Sequence, residues 1–470
     1  MNQGLILISP IVLVRLLSVE DFGRYREFLL YVTVLLNFSA LGINTSLLRF
    51  IPERPDLKWR FVAQAVLMTL ATSLLVAAAA LVLDAALDGK AMGEFALPAA
   101  LYMLLFVNLD FWEFLWLAEK RSFAVLRYTT GRLVARMLTV IAAAALTRDV
   151  TTIVWALVSL EALRLSVSFV IWRRRAQQRE TTADASGTWR EQLAYCLPFG
   201  GSMLVGSLNR SIGSLFVTKM LGPVALAHYA IGTYVQPVIN VLRNSLSDVL
   251  LPEMVARDRD TQQDRLLLFR RTTVVIAMFL IGAGVGLACF ADVLVTTLFS
   301  DEYRPAVVIL QVYLLVFLRE SLDFGVPLRA INRTGAILRS NVVAVLINAV
   351  LLPILMPLWG LIGAVIAFVI SRMIEGVYLG AQAMVAYQVP LRQIAPWGDL
   401  AKIALAAALA ALVLYGGFWT EHLGLAGVIV GGGLYVLAYA ALLLGLKVPE
   451  AGRLLQRMRS APTMLMRKPH

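Results

Sequence analysis

Cysteines and charged residues are scarce in this chain. Its 470 residues include two cysteines, Cys196 and Cys289, which lie in separate hydrophobic stretches. They offer no disulfide framework, and we expect both to be core residues. Only 15% of the residues are charged, 59% are hydrophobic and the mean hydropathy is +0.77, whereas about half of a soluble domain is apolar. This composition excludes a soluble globular protein and predicts a membrane protein.

Long loops are also absent on the predicted outer side of the membrane. The longest, at residues 84–94, reads DAALDGKAMGE and is too short for a folded domain. Integral-membrane glycosyltransferases and polysaccharide polymerases usually need large outer loops with catalytic residues, so the sequence argues against an enzyme. We expect no catalytic residues, no cofactor and no metal ion. The N-terminus also lacks the charge pattern of a cleaved signal peptide.

Apolar runs of about 20 residues recur along the whole chain, and each is long enough to cross a hydrocarbon core about 30 Å thick. The fold class predicted is therefore an all-α polytopic membrane protein with about 14 transmembrane helices. The predicted spans lie at residues 2–18, 25–48, 61–84, 95–118, 123–147, 151–172, 192–218, 228–250, 272–298, 303–328, 336–357, 361–386, 400–418 and 424–446.

The formal net charge of +12 would suggest a nucleic-acid partner if the protein were soluble. Here the lysines and arginines concentrate in alternate loops instead, as the positive-inside rule requires of cytoplasmic loops. We therefore expect no nucleic-acid partner, an even number of spans and both termini in the cytoplasm.

The chain contains an internal repeat. RLLSVEDFGRY at residues 15–25 returns as KMLGPVALAHY at residues 219–229, and AEKRSFAVLR at residues 118–127 returns as AINRTGAILR at residues 330–339. The order and spacing of the two copies predict two equivalent lobes of six helices, with the first helix about thirteen residues shorter than its counterpart. Hydrophobic repeats of this length are typical of transporters, in which one lobe moves against the other.

Five regions follow from the repeat and the apolar runs. We predict an N-lobe at residues 1–172, a cytoplasmic linker at 173–190, a C-lobe at 191–388, two extra helices within 389–446 and a basic cytoplasmic tail at 447–470.

The segments RLLSVEDFGRY and GINTSLLRFIPE resemble the opening of the polysaccharide biosynthesis transporters. These are the Wzx-type O-antigen flippases of the multidrug, oligosaccharidyl-lipid and polysaccharide exporter superfamily. The resemblance extends over essentially the whole chain. The sequence departs from the family at Ser18 and Val19, where Gly-Pro is common, but the second copy keeps that pair as Gly222 and Pro223.

This resemblance implies a function. It implies a flippase in the bacterial inner membrane that moves undecaprenyl-diphosphate-linked oligosaccharide to the outer leaflet by alternating access, for polysaccharide or lipopolysaccharide synthesis. It further implies coupling to H⁺, Na⁺ or the membrane potential, contact with membrane lipids, and association with polysaccharide polymerase machinery. The two extra helices would hold the polyprenyl tail in a groove. A multidrug or small-cation exporter of the same superfamily is an alternative, and a membrane polymerase or ligase is a weaker one.

Arginines inside the predicted spans are the candidate substrate-binding residues. Arg132 and Arg136 are four apart on one helix, where like charges repel unless an anion or acids lie opposite. They are interpreted either as part of a cationic cavity for the lipid diphosphate, together with Arg210 and Arg243 of the second lobe, or as ion-pair partners of two acids on the preceding helix. Arginine suits phosphate because its planar fork binds two oxygens at once.

Those two acids, Asp110 and Glu113, recur in the second copy as Glu320 and Asp323. Buried carboxylates of this kind can bind H⁺ or Na⁺ and couple its flow to lobe movement, and interhelical pairing is the structural alternative.

Local ion pairs offer a purely structural role for the other charges within the spans. Helical spacing predicts such pairs between Glu161 and Arg164, Arg372 and Glu375, and Arg319 and Asp323.

Three further arginines, Arg15, Arg24 and Arg49, lie in or beside the family motifs. They are interpreted either as groups that bind headgroup phosphate or as side chains that extend to the membrane surface.

Overall fold

The computed structural model describes residues 2–176, 188–237, 239, 262–331, 333–414 and 424–453. These residues form helices, turns and short connections, with no strand among them. Within the described ranges, eight helices are long and apolar enough to cross a membrane, or nine if one bent pair is counted as a span. The all-α membrane fold is thereby confirmed, and the total of fourteen spans stays a prediction.

The chain divides into two compact units, Met1–Ala227 and His228–His470. The predicted linker falls mostly outside the described residues, so the predicted domain limits stay predictions. The first unit contains α1 Asn2–Leu16, α2 Val19–Ala40, α3 Leu47–Glu53, α4 Lys58–Ala86, α5 Ala96–Val107, α6 Phe111–Ala118, α7 Ser122–Thr147, α8 Val150–Ala176 and most of α9 Thr188–Gly232.

The second unit begins within the last turns of α9. It continues with α10 Gln262–Cys289, α11 Ala291–Leu298, α12 Ala306–Tyr313, α13 Val316–Glu320, α14 Gly325–Ala330, α15 Thr334–Tyr387, α16 Leu391–Ile394, α17 Trp397–Ala411 and α18 Gly424–Gly445.

The two longest helices are each interrupted by one glycine. If straight, the 54 residues of α15 would extend about 80 Å at about 1.5 Å per residue, far more than one bilayer. Gly360, with φ 55° and ψ −131°, divides it, and Gly222, with φ 83° and ψ −177°, divides α9. These backbone angles are open to glycine and costly for other residues.

The break at Gly360 has a counterpart in the first copy. Arg148 ends α7 with φ 52° and ψ 24°, a left-handed helix cap, immediately before α8. Arg148 and Gly360 are separated by the same number of residues as Ala118 and Ala330, the start of the third repeated segment. The repeat read from the sequence therefore reappears as the same helix boundary.

A side-chain contact also recurs between the copies. Arg24, near the start of α2, forms an ion pair with Glu94, while His228, the repeat equivalent of Arg24, bonds through Nε2 to the backbone oxygen of Glu302 at 3.2 Å. Both glutamates belong to short 3₁₀ turns, Gly93–Phe95 and Asp301–Tyr303. Each unit thus joins the same two elements by a polar contact.

The C-terminal helices pack on α10. Ile403, Ala406 and Ala407 of α17 are completely buried in a cluster with α10 and α18. Two tyrosines of α18 donate hydrogen bonds to carbonyl oxygens of α10, Tyr435 to Gly282 at 2.7 Å and Tyr439 to Met278 at 2.9 Å. These residues of α17 therefore belong to one hydrophobic cluster of the second unit, and the predicted groove for a polyprenyl tail stays a prediction.

The cysteines behave differently from each other. Cys196 is buried in the first unit, as predicted, whereas Cys289 is exposed. The core prediction is wrong for Cys289, which is the last residue of α10 and has an exposed side chain.

Candidate functional site

The membrane arginines of α7 line a cavity of about 330 Å³ in the first unit. Arg132 and Arg136 lie one turn apart near the middle of the helix, so both project to the same side. The other polar residues of the lining are Ser9, Tyr25, Arg26, Thr129 and Glu161. The lining thus carries three arginines and one carboxylate.

Arg132 is neutralised by the acids of α6. Its guanidinium lies 2.6 Å from Asp110 and 3.3 Å from Glu113, and all three side chains are between 22% and 30% exposed. The interhelical pair considered from the sequence is therefore present for Arg132. The ion pairs of Arg132 therefore join α7 to the acids beside it, and the same side chain also lines the cavity.

Arg164 of α8 joins the same network. It lies 2.6 Å from Glu161 and 3.7 Å from Asp110, and it donates a hydrogen bond to the Phe106 oxygen at 3.1 Å. The predicted pair of Glu161 and Arg164 is confirmed. Asp110 consequently lies between arginines of two different helices.

Arg136 has a different environment from its neighbour one turn away. Across the described residues, no carboxylate lies within 4.0 Å of its guanidinium. Its centre is 5.7 Å from the centre of the Tyr102 ring, and Tyr25 lines the same cavity. Arg136 is therefore a cation held by aromatic groups on the wall of a cavity.

An aromatic pair on α5 supports all three guanidinium groups. Tyr102 and Phe106 stack with ring centres 5.7 Å apart. Arg132 and Arg164 lie 5.0 and 5.2 Å from the centre of the Phe106 ring. These rings were not predicted from the sequence. The pattern that could have indicated them is their spacing of four residues on α5, which equals the spacing of Arg132 and Arg136 on α7.

The second unit buries four charged side chains that form ion pairs with one another. Arg319 lies 2.9 Å from Glu375 and 3.5 Å from Glu320, and Arg372 pairs with both glutamates. Each of the four side chains is at most 15% exposed. Two positive and two negative charges balance, and the predicted pair of Arg372 and Glu375 is confirmed.

The predicted pair of Arg319 and Asp323 is wrong. Helix α13 ends at Glu320, so the spacing of four residues no longer places these side chains on one helical face. Asp323 instead accepts a hydrogen bond from the Gly325 backbone at 3.1 Å and lies 3.8 Å from Arg329. All four candidate coupling acids, Asp110, Glu113, Glu320 and Asp323, thus lie within 4.0 Å of an arginine.

The second copy lacks the cations of the cavity. In the register that matches Arg148 with Gly360, the equivalents of Arg132 and Arg136 are Ala344 and Asn348. Both are completely buried. The arginine pair of the cavity therefore occurs in the first copy and is absent from the equivalent positions of the second.

The motif arginines are spread over the first unit. Arg24 pairs with Glu94 and Arg49 with Glu53 at 3.2 Å, where Arg49 also lies 5.1 Å from the centre of the Tyr195 ring. Arg24 lies near the start of α2 and Arg49 lies beyond its end, and the 22 residues of α2 extend about 33 Å. The two arginines are therefore separate candidates for contact with lipid headgroups.

Neither Arg15 nor Arg210 belongs to the lining of this cavity. Arg15 is exposed at the end of α1, and Arg210 is exposed on the part of α9 that belongs to the first unit. Arg243 lies outside the described residues. Over those described ranges, no group of three His, Cys, Asp or Glu residues is placed to hold a metal ion.

The fold and the buried charges define a polytopic membrane protein with an ionic site inside its helical bundle. The chain belongs to the polysaccharide biosynthesis protein family, whose sequence profile matches residues 12–308. It is also 23% identical over 189 residues to CapF, a capsular polysaccharide biosynthesis protein of Staphylococcus aureus. That alignment covers 40% of this chain and 48% of CapF, about half the length of the relative.

Two solved structures share the fold. The lipid II flippase MurJ in an inward closed conformation has a TM-score of 0.67 and 14% identity, over 94% of this chain and 96% of MurJ. An inward-facing multidrug resistance transporter of the MATE family in the MOP superfamily has a TM-score of 0.55 and 15% identity, over 83% of this chain and 95% of that one. At these identities the likeness is one of fold.

Proposed function

We propose that the protein is a flippase that carries undecaprenyl-diphosphate-linked oligosaccharide across the bacterial inner membrane for polysaccharide synthesis. The observation that carries the proposal is Arg136, a cation in the cavity wall with no carboxylate within 4.0 Å in the described part of the chain. Membership of the polysaccharide biosynthesis family supports a glycan-linked substrate. The fold shared with a lipid II flippase supports a lipid-linked one.

The cost of burying Arg136 gives the physical reason. An arginine at the centre of a membrane span costs about 2.5–3.5 kcal/mol on insertion scales. Arg132 offsets that cost with two carboxylates, whereas Arg136 has aromatic contacts instead. An anionic ligand supplies the missing counter-charge, and a guanidinium binds phosphate oxygens through parallel N–H donors. The diphosphate of the carrier lipid is such a ligand.

Ion coupling is assigned to Asp110 in the same proposal. Asp110 contacts arginines of α7 and α8 at once, Arg132 at 2.6 Å and Arg164 at 3.7 Å. Binding of H⁺ to its carboxylate would weaken both contacts and free Arg132 toward the cavity. Substitution of Asp110 by asparagine mimics the protonated form, so we expect transport by that variant to become independent of the proton gradient. Unchanged gradient dependence would remove Asp110 from the coupling mechanism.

A gene deletion tests the proposed function. We expect undecaprenyl-diphosphate-linked oligosaccharide to accumulate in the inner leaflet and surface polysaccharide to be lost. Complementation with Arg136→Ala should not restore the polysaccharide, whereas the control Arg127→Ala should. Arg127 lies on the same helix but is exposed and outside the cavity lining. Normal surface polysaccharide without accumulation would refute the flippase function.

The MATE-like fold raises export of cationic drugs as a second function. The cavity lining argues against it, because Arg136, which has no carboxylate within 4.0 Å in the described part of the chain, repels a cation. Drug susceptibility of the deletion strain separates the two functions, and we expect it to equal that of the parent strain.

A further inference from the structure

We infer that Tyr25 is a second ligand-binding residue of the Arg136 cavity, donating to a phosphate oxygen, and that Tyr102 is a positioning residue that holds the Arg136 guanidinium against its ring. The inference rests on the proposed function, because it concerns the same cavity and the same phosphate group.

The position of Tyr25 in the cavity lining carries the first part. Tyr25 and Arg136 both line the cavity, and a tyrosine hydroxyl has one hydrogen to donate. Arginine has N–H donors and no acceptor, so Arg136 cannot receive that hydrogen. Tyr25 lines the cavity and is only 5% exposed, so a cavity ligand is placed to receive that hydrogen.

The combined arrangement suits a phosphate. A phosphate oxygen accepts hydrogen bonds and carries negative charge, so Arg136 and Tyr25 would both donate to it from adjacent positions on the wall. Neutral sugar hydroxyls do not need the charge, and organic cations are repelled by it. The chemistry recognised is therefore that of a phosphate or diphosphate group.

Tyr102 acts through Arg136 without donating to the ligand. Its ring is 1% exposed and is itself fixed by Phe28 in an edge contact at 6.0 Å and by Phe106 in a stacked contact at 5.7 Å. Its hydroxyl has no hydrogen-bond partner among the described residues. The aromatic ring, and not the hydroxyl, therefore positions the guanidinium of Arg136.

The repeat supplies a matched control. Tyr25 ends the first repeated segment and Tyr229 ends the second. Both are buried, at 5% and 6% exposure, but the second copy has Asn348 at the position equivalent to Arg136. A Tyr229→Phe variant therefore removes an equivalent buried hydroxyl without touching the cationic cavity.

Binding of inorganic pyrophosphate to the purified full-length protein tests the inference by isothermal titration calorimetry. We expect Tyr25→Phe to raise the Kd about tenfold, the usual effect of one hydrogen bond to a charged group. Tyr229→Phe should leave the Kd within about twofold of the parent protein, since the ordinary effect of a remote substitution is small. Equal Kd values for the two variants would overturn the assignment of Tyr25.

Tyr102 is tested by rescue with a conservative side chain. We expect Tyr102→Leu to raise the pyrophosphate Kd about fivefold through the lost ring contact, while Tyr102→Phe restores the parent value. Both variants lack the hydroxyl, so a role for the hydroxyl would give equal losses in both, and that result would overturn the positioning role. If Tyr102→Leu does not fold, parental binding by Tyr102→Phe still supports the role of the ring, and weakened binding refutes it.

Arg136→Ala distinguishes failure of the inference from failure of the proposed function. Parental pyrophosphate affinity in Arg136→Ala would contradict the proposed function itself. Lost affinity in Arg136→Ala together with parental affinity in Tyr25→Phe would contradict only the inference about Tyr25.

Discussion

Alanine substitutions at Arg132 and Arg136 should have different consequences, although the two residues are one turn apart on α7. The first should lower the stability of the protein, and the second should abolish transport at nearly unchanged stability. Arg132→Ala removes the main partner of Asp110 and of Glu113. Breaking a buried ion pair costs about 3–5 kcal/mol. The cost here is smaller, about 2 kcal/mol, because the pair is 22% exposed and Asp110 keeps Arg164 at 3.7 Å.

Arg136→Ala leaves no carboxylate unpaired in the described part of the chain. It removes a membrane cation that costs about 2.5–3.5 kcal/mol and loses a cation–π contact of about 2 kcal/mol. These contributions nearly cancel, so we expect a change in stability within about 1 kcal/mol. Transport, by contrast, should be lost.

Thermal unfolding in detergent and complementation of a deletion strain measure the two effects. If the first unit, Met1–Ala227, unfolds by itself, we expect Arg132→Ala to lower its Tm by about 4–8 °C, from about 2–4 °C for each kcal/mol in a unit of this size. We expect Arg136→Ala to leave the Tm nearly unchanged while abolishing surface polysaccharide. The reasoning is refuted if Arg136→Ala lowers the Tm as much as Arg132→Ala, because Arg136 would then be a structural ion-pair partner.

Three further predictions concern other parts of the molecule. Gly282→Ala would place a Cβ 2.5 Å from the Tyr439 ring, so we expect a lower Tm by scanning fluorimetry, whereas the control Gly433→Ala, with no atom within 4 Å, should match the parent. Glu375→Gln leaves two buried arginines with one full carboxylate and should cost about 3 kcal/mol, measured by denaturant unfolding; parental stability would contradict the balanced-charge account. Hydrogen bonds from the start of α8 lower the pKa of Asp149 below its ordinary 3.8, so its contribution to stability is present above that pH and is lost as the pH falls through the lowered pKa. We therefore expect Asp149→Ala to lower the Tm more at pH 7 than at pH 2; equal shifts at both values would contradict this assignment.

The internal repeat made much of the fold predictable. Helix boundaries recur at fixed separations in the two copies. The repeat therefore located two helix breaks that the structure also has, one at Gly222 and Pro223 and one after Ala330. The pair of Glu161 and Arg164 was predictable because both residues lie on one unbroken helix. Arg319 and Asp323 were mispredicted because α13 ends between them, and the termination of a short helix inside an apolar run leaves little trace in hydrophobic periodicity.

The candidate site was only partly predictable. Spacing showed that Arg132 and Arg136 share a face, but not which residues lie opposite each one, since this depends on how α5, α6 and α7 are rotated against one another. One turn of α7 separates a residue facing Asp110 from one facing Tyr102. Sequence alone treated the two arginines as equivalent, and the packing of neighbouring helices distinguishes them.

The break at Gly360 bears on how the protein is made. This residue is the whole connection between the two halves of α15, and no stretch of chain is left over to form a loop. We expect two apolar segments joined in this way to enter the bilayer as one hairpin, because no loop between them anchors the first half alone. The glycine at the turn would then make the helical pair, and not the single helix, the unit of insertion.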